Sequence, residues 1–377
     1  MVYKLPDNYG KCMYIHEQKD WPEFTWNEAG VYPLLAEVRH AQGLLLGQMT
    51  SLGFNLKKEA SLLVLTQDAV KTAEIEGEIL NPASVRSSIA RKLGFDDASP
   101  TPSDRDVDGL VEVLIDATNN YNQPLSEERL FGWHAALFPT GRSGMRRITV
   151  GDWRKDETGP MQVISGPLGS EKVHFQAPDH ERLADDMTRL ISWFNASCKL
   201  DPFIKAALSH FYFVTIHPFD DGNGRIARAI GDMQLARADK IDLRFYSMSV
   251  QIQKEKKSYY NTLERCQKGP LDVSVWIQWY LDRLLRAIHG SKSILRSILD
   301  KASFWQQHED DKFNSRQKVM LNRLLDGFDG KLTSSKWAKI TKCSQDTAQR
   351  DINDLIKKDI LEKEDAGGRS TSYRICK

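Results

Sequence analysis

A chain of 377 residues exceeds what one hydrophobic core usually supports, so two or three folding units are expected. Its 52 Lys and Arg against 51 Asp and Glu leave a formal net charge of +1, which excludes a bulk polyanion as partner of the whole surface. Five cysteines (Cys12, Cys198, Cys266, Cys343 and Cys376) are odd in number, scattered and without a Cys-x-x-Cys pair, which fits a reduced cytosol better than a disulfide framework or a zinc site.

Met1 to Trp26 is polar and aromatic, without the basic start and apolar run of a targeting segment. No window reaches membrane-spanning length, so the expectation is a cytoplasmic protein with no membrane partner. After an irregular lead, Trp21-Pro22-Glu23-Phe24-Thr25-Trp26, the first hundred residues read as helical. Ser61 to Glu78 is an amphipathic helix with Leu62, Leu63, Leu65, Ala69, Val70, Ala73 and Ile75 as its apolar positions. Thr72 and Glu76, four apart, share one face, and Gly77 is a stop signal. A Pro-, Ser- and Asp-rich loop, Asp96 to Asp106, closes this N-terminal region, taken as residues 1–105.

Residues 106–300 form the next expected unit. Between Arg146 and Pro178 the periodicity changes, and two short β-prone runs, Met161 to Gly166 and Val173 to Pro178, flank a Gly- and Pro-containing connection. They read as a hairpin. His174 and His180 have no Cys or carboxylate at ligand spacing and read as surface or hairpin residues.

Residues 217–228, His-Pro-Phe-Asp-Asp-Gly-Asn-Gly-Arg-Ile-Ala-Arg, carry the most chemistry. Leu208, Phe211, Tyr212, Val214 and Thr215 predict a helix that delivers His217 at its C-terminal end, where Pro218 stops it. Ile226, Ala229, Ile230, Met233 and Leu235 predict a second helix whose first turn begins near Gly222 to Arg225. Unpaired N–H groups and the positive dipole end make that turn an anion site. Gly222 and Gly224 let the backbone approach phosphate oxygens, and Asn223 can add side-chain donors. Asp221 beside an anion cradle calls for a divalent cation between them, with Mg²⁺ the natural choice. Arg225 and Arg228 suit a polyphosphate, and His217, titrating nearest neutrality, is the candidate base.

Further on, Lys254 to Lys268 is helical and carries Tyr259, Tyr260 and Leu263; Leu271 to Ile288 is an amphipathic helix with Trp276 and Trp279. In residues 315–377, helices at Lys318 to Leu325, Ser334 to Ile340 and Ser344 to Lys358, the last capped by Ser344, precede two strands around Ala366-Gly367-Gly368-Arg369. This resembles a winged helix-turn-helix. From Lys312 to Lys377, 15 Lys and Arg stand against 9 Asp and Glu, which favours nucleic acid. Thr347, Gln349, Arg350 and Asn353 are the candidate DNA-facing residues, with dimerisation or protein docking the other uses of such a module.

The dozen residues from His217 resemble the signature of the Fic (filamentation induced by cAMP) family, His-x-Phe-x-Asp/Glu-Gly-Asn-Gly-Arg-x-x-Arg, with every fixed position present. The resemblance implies a mainly α fold, a helical bundle with a β-hairpin flap, here followed by the winged-helix-like module. It implies transfer of AMP from ATP to a hydroxyl side chain of a target protein, or of the enzyme itself, with release of pyrophosphate. His217 would deprotonate the hydroxyl, Asp221 hold Mg²⁺, Gly222, Asn223 and Gly224 cradle the phosphates, and Arg225 and Arg228 bind the β and γ groups. The lead before the first helices is similar to an N-terminal region often joined to bacterial Fic domains. Thr72 to Gly77 resembles the inhibitory pattern Ser/Thr-x-x-x-Glu-Gly/Asn, which implies that Glu76 pairs with Arg228 and occupies the γ-phosphate grip. Val163, Ile164, Ser165 and Gly166 would belong to the flap that receives the target as an added strand. Tyr260, or Tyr259 if the register shifts by one, would lie against the adenine. Two other readings stay open: a nucleotide-sensing DNA-binding regulator, and a phosphodiesterase in which Glu76 positions water to strip AMP from the target. A homodimer is compatible with each.

Overall fold

The computed structural model describes residues 14–50, 52–95, 101–156, 159–167, 170–197, 199–325, 327–328, 330–364 and 371–376. They divide between Ser291 and Lys292 into two compact units. In the first, α1 (Glu28–Thr50), α2 (Phe54–Ile75), α3 (Pro82–Leu93), α4 (Arg105–Asn119) and α5 (Glu127–Leu137) precede two antiparallel hairpins. These are β1 (Arg142–Ser143) with β2 (Arg146–Arg147), and β3 (Gln162–Ser165) with β4 (Lys172–Gln176). Then come α6 (Leu183–Asn195), α7 (Pro202–Ile216), α8 (Asn223–Asp239), α9 (Met248–Lys254), α10 (Lys256–Gln267) and α11 (Ser274–Gln307), whose residues from 292 onward belong to the second unit.

The core is built around α7. Every residue from Phe203 to Ile216 is buried, so this helix is covered on all sides and must be wrapped by others. Asp201 starts it, its carboxylate accepting from the Phe203 N–H, and Pro202 occupies the first turn where no donor is needed. α8 packs against α7, and α4, α5 and α2 close around α8.

The second helix of the chain starts at Phe54, earlier than its apolar pattern suggests, and ends at Ile75 rather than Glu78. Leu62, Val64, Leu65 and Ala69 are buried, and α2 and α3 pack on α9 and α4, so the N-terminal region shares one core with the residues that follow. The hydroxyl of Ser247 donates to Asp68 and that of Ser61 accepts from the Arg244 N–H at 3.3 Å, fixing α2 along its length. The expected hairpin forms as β3 and β4; β1 and β2 had no sequence signal beyond Gly144.

The second unit contains α12 (Ser315–Leu325), α13 (Ser334–Thr341) and α14 (Gln345–Lys357), with β5 (Leu361–Lys363) antiparallel to β6 (Tyr373–Ile375). Met320, Leu321, Trp337, Ile352, Leu355 and Leu361 make its core. Ser344 caps α14, accepting from the Thr347 N–H at 3.2 Å. The expected glycine turn at Ala366 to Arg369 lies outside the described residues. Gln349 donates to Asn353 and Tyr373 at 3.1 Å, and Thr347 bonds Ser344 at 2.9 Å, so both are engaged within the unit, while Arg350 and Asn353 are exposed.

Candidate functional site

α7 ends where His217 adopts the left-handed conformation, φ +53°, its N–H still bonded to the Phe213 carbonyl at 3.0 Å. The turn that follows is held tightly. Asn223 Nδ2 donates to the Phe219 carbonyl at 2.7 Å, and its Oδ1 accepts from the Phe219 N–H at 3.0 Å. Both ends of that amide therefore lock the loop, instead of pointing at a ligand as its residue type alone suggested. The Phe219 ring stacks on His134 at 4.1 Å, and His134 Nε2 donates to the Asp221 carbonyl at 3.2 Å. Arg154 adds a clamp: its Nε donates to the His217 carbonyl at 2.8 Å and its backbone N–H to Pro218 at 3.0 Å.

Gly222 begins α8 with φ +81°, and a Cβ there would lie 2.8 Å from the Phe138 ring. Only glycine meets both conditions. His217 Nδ1 donates to the Val214 carbonyl at 3.2 Å, which fixes the tautomer and leaves Nε2 with its lone pair. Burial, together with the Arg154 charge, pushes its pKa down to about 4, against the pull of the Val214 bond. At neutral pH His217 is an uncharged base.

The seat at the first turn of α8 is filled by a carboxylate of α2. Glu76 Oε1 accepts from Arg228 Nη2 at 2.6 Å, and lies 2.5 Å from where a Gly224 Cβ would stand. Arg228 is buried and also donates from Nε to Thr72 Oγ1 at 2.5 Å and from Nη2 to the Thr72 carbonyl at 3.2 Å. The local cause is the end of α2. Glu76 is its C-cap, Gly77 turns left-handed at φ +89°, and the Glu78 and Gly77 N–H groups return to Ala73 and Glu74 at 3.0 and 3.1 Å. This is a Schellman closure, which needs glycine at that position. It reverses the chain and brings Glu78 onto Arg225, whose Nη1 donates to both carboxylate oxygens at 3.1 and 3.2 Å. Glu78 is a residue that sequence reasoning missed, because it read as one more helical glutamate.

Two guanidinium donors, Arg225 Nε and Arg228 Nη1, are buried with no hydrogen-bond partner among the described residues. Such donors are costly unless an acceptor arrives, which suits an anionic ligand. Asp221 accepts from the Gly222 N–H at 2.6 Å and from the Ser143 hydroxyl. Among the described residues no three His, Cys, Asp or Glu gather for a metal. A single carboxylate fits a magnesium ion that takes its other oxygens from phosphate and water.

Of the paired tyrosines, Tyr259 is core: it is 1% exposed and its hydroxyl bonds His210 Nε2 at 2.8 Å. Tyr260 is 39% exposed, and burial of its hydroxyl and the nearby Glu76 carboxylate push its pKa up to about 12. Both tyrosines feel the Glu76 and Arg228 charges, and Tyr260 is the more exposed of the two. In the hairpin, Ile164 and Ser165 are exposed and Val163 half-buried, while Gly166 turns the chain at φ +108°. His174 Nδ1 donates to Glu264 and its Nε2 accepts from Ser165, both at 2.6 Å, tying β4 to α10.

The Fic/DOC family model matches residues 124–235, and one described as Domain of unknown function (DUF4172) matches residues 14–95. A protein adenylyltransferase Fic of Drosophila mojavensis is 33% identical over 232 residues, 60% of this chain and 40% of that protein. One of Culex quinquefasciatus is 25% identical over 232 residues, 60% and 41% of the two chains. This chain thus spans 40–41% of the length of these two relatives. A crystal structure of a Fic family protein from Desulfovibrio desulfuricans G20 is similar with a TM-score of 0.52 at 18% identity, covering 94% of this chain and 98% of that one. A Fic domain containing signaling protein from Bacteroides thetaiotaomicron gives 0.51 at 18%, covering 71% and 98%. These similarities show the mainly helical fold. In addition, no helix among the described residues is long and apolar enough to cross a membrane.

Proposed function

For a chain that carries a Fic domain, we propose that its reaction is transfer of AMP from ATP to a hydroxyl side chain of a target protein, releasing pyrophosphate, under restraint by Glu76. The observation that carries this reading is the carboxylate in the anion seat. Glu76 meets Arg228 and the Gly224 backbone where a terminal phosphate would be gripped by the same guanidinium fork and helix end.

The residues then divide the work. His217 Nε2 takes the proton of the target hydroxyl as its oxygen attacks the α-phosphorus, and the bond from that phosphorus to pyrophosphate breaks. The α8 N-terminus with Arg225 and Arg228 holds the oxygens that gain charge as pyrophosphate leaves. Asp221 would hold Mg²⁺, which supplies charge neutralisation on the phosphates. Tyr260 offers a flat face to the base, and Val163 to Gly166 an edge to the target. Glu76 also acts on His217 electrostatically, raising its proton affinity, so the two frame a reverse hydrolysis as well. In that reading, release of AMP from a modified target is lost in Glu76→Gly.

The test of reaction class uses ATP labelled at the α or the γ position. The α label should enter protein in Glu76→Gly and not in Glu76→Gly with His217→Ala. Transfer of the γ label would mean a kinase and end the proposal.

A further inference from the structure

A cleft of about 540 Å³ runs along β3 and is lined by Arg146, Arg147, Lys155, Gln162, Ile164 and Asp220, among others. We propose that it docks an acidic, extended segment of the target protein, an inference that rests on the transferase reading for its occupant. The charge balance carries it. Asp220 already accepts from the Thr149 N–H at 2.8 Å, and Asp156, the other carboxylate among the described residues lining the cleft, accepts from Arg154 and from the His180 N–H at 3.2 Å. The cations are turned outward. Arg146 and Arg147 are exposed, and among the described residues the ion pair of Lys155 is with Asp152 at 3.8 Å, both side chains more than half exposed.

Shape points the same way. β3 has β4 as its one strand neighbour among the described residues, so its other edge offers main-chain groups to an added strand. Ile164, 54% exposed, stands on that strand as an apolar contact. Gln162 and Ile164, alternate residues of β3, line the cleft together with the arginines, so every second residue of an added strand faces this basic lining. The basic hairpin is also tied to the motif: Ser143 of β1 donates to Asp221, so a segment held there lies beside the loop that presents His217.

Fluorescence anisotropy on the full chain tests this with short synthetic peptides. One alternates Val with Asp and Glu around a central Thr; its counterpart carries Lys in place of the acids. The acidic peptide should bind at least roughly tenfold more tightly, and added salt should weaken it. Arg146→Glu with Arg147→Glu should abolish that preference, and Lys155→Glu should reduce it, with Mg·ATP binding unchanged. Equal affinity for both peptides, no binding of the acidic one, or indifference to the charge reversals overturns the proposal. So does parallel loss of Mg·ATP binding, which would assign these cations to the nucleotide. If the acidic peptide binds as expected but no variant transfers α label, the groove stands and the transferase reading falls.

Discussion

Glu76→Ala leaves Arg228 buried without its carboxylate, its guanidinium still donating to Thr72 Oγ1 and the Thr72 carbonyl. Stranding a fully buried charge costs about 3–5 kcal/mol. The Glu76 side chain is 29% exposed, and solvent screening of that end reduces the loss to about 2–3 kcal/mol. In a unit of this size each kcal/mol moves the midpoint by about 2 °C, so Tm should fall by about 4–6 °C. ATP with Mg²⁺ offers phosphate oxygens to the stranded guanidinium. At a hundredfold excess over Kd it stabilises by about 2.7 kcal/mol, and the variant should regain most of its loss. Wild type should gain less at the same ATP concentration, since its ligand must displace Glu76. Thermal unfolding with and without Mg·ATP reads both effects. A variant as stable as wild type, or an equal ATP shift in both, would refute the idea that carboxylate and phosphate share Arg228.

Glu78→Ala should raise AMP transfer about threefold with Glu76 intact, with less than about 1 kcal/mol lost from stability because the Glu78 side chain is 49% exposed; reduced transfer in a label assay would contradict its restraint of Arg225. Gly222→Ala should cost about 2–4 kcal/mol in urea unfolding from its φ and the Phe138 contact, and a neutral result would sink that geometry. Burial also holds four imidazoles neutral: His134 and His217 at about 4, His210 at about 3, and His16 lowered. Their contribution is complete above pH 6.5 and lost as pH falls, because the unfolded chain takes up protons first. Asp232, raised to about 7, and Asp239, raised, oppose them. Three imidazoles, His134, His210 and His217, less Asp232 leave a net of two groups and about 3 kcal/mol lost per unit between pH 6 and 5, against the flat profile expected were the histidines solvated.

Local signals carried the centre of the site. The apolar run into Ile216 and the glycines around Asn223 specify a helix, a sharp turn and a second helix within one short stretch, which keeps His217, Asp221, Arg225 and Arg228 close together. Thr72 and Glu76 were readable because one face of a helix fixes their spacing. Glu78 was not, since a chain reversal at Gly77 moves it off that face. His134, Ser143 and Arg154 reach the motif from 87, 78 and 63 residues away, and no periodicity announces such contacts. The residue type of Asn223 suggests donors for a ligand, yet its side chain is spent on Phe219. Nor does the adjacency of Tyr259 and Tyr260 reveal that the first is buried against His210.

The central claim is that Arg228 serves either Glu76 or the terminal phosphate, and that this choice governs the reaction at His217. The direct measurement is initial α-label transfer by wild type, Glu76→Gly and Glu76→Gly with Arg228→Glu, each at the same Mg·ATP concentration, held below the wild-type Kd. The account predicts a low rate in wild type, a rise of at least roughly tenfold in Glu76→Gly, and loss in the double variant, since freeing an arginine is worth about 1.4 kcal/mol or more at the phosphate. Equal rates in wild type and Glu76→Gly, or full activity without Arg228, would contradict it.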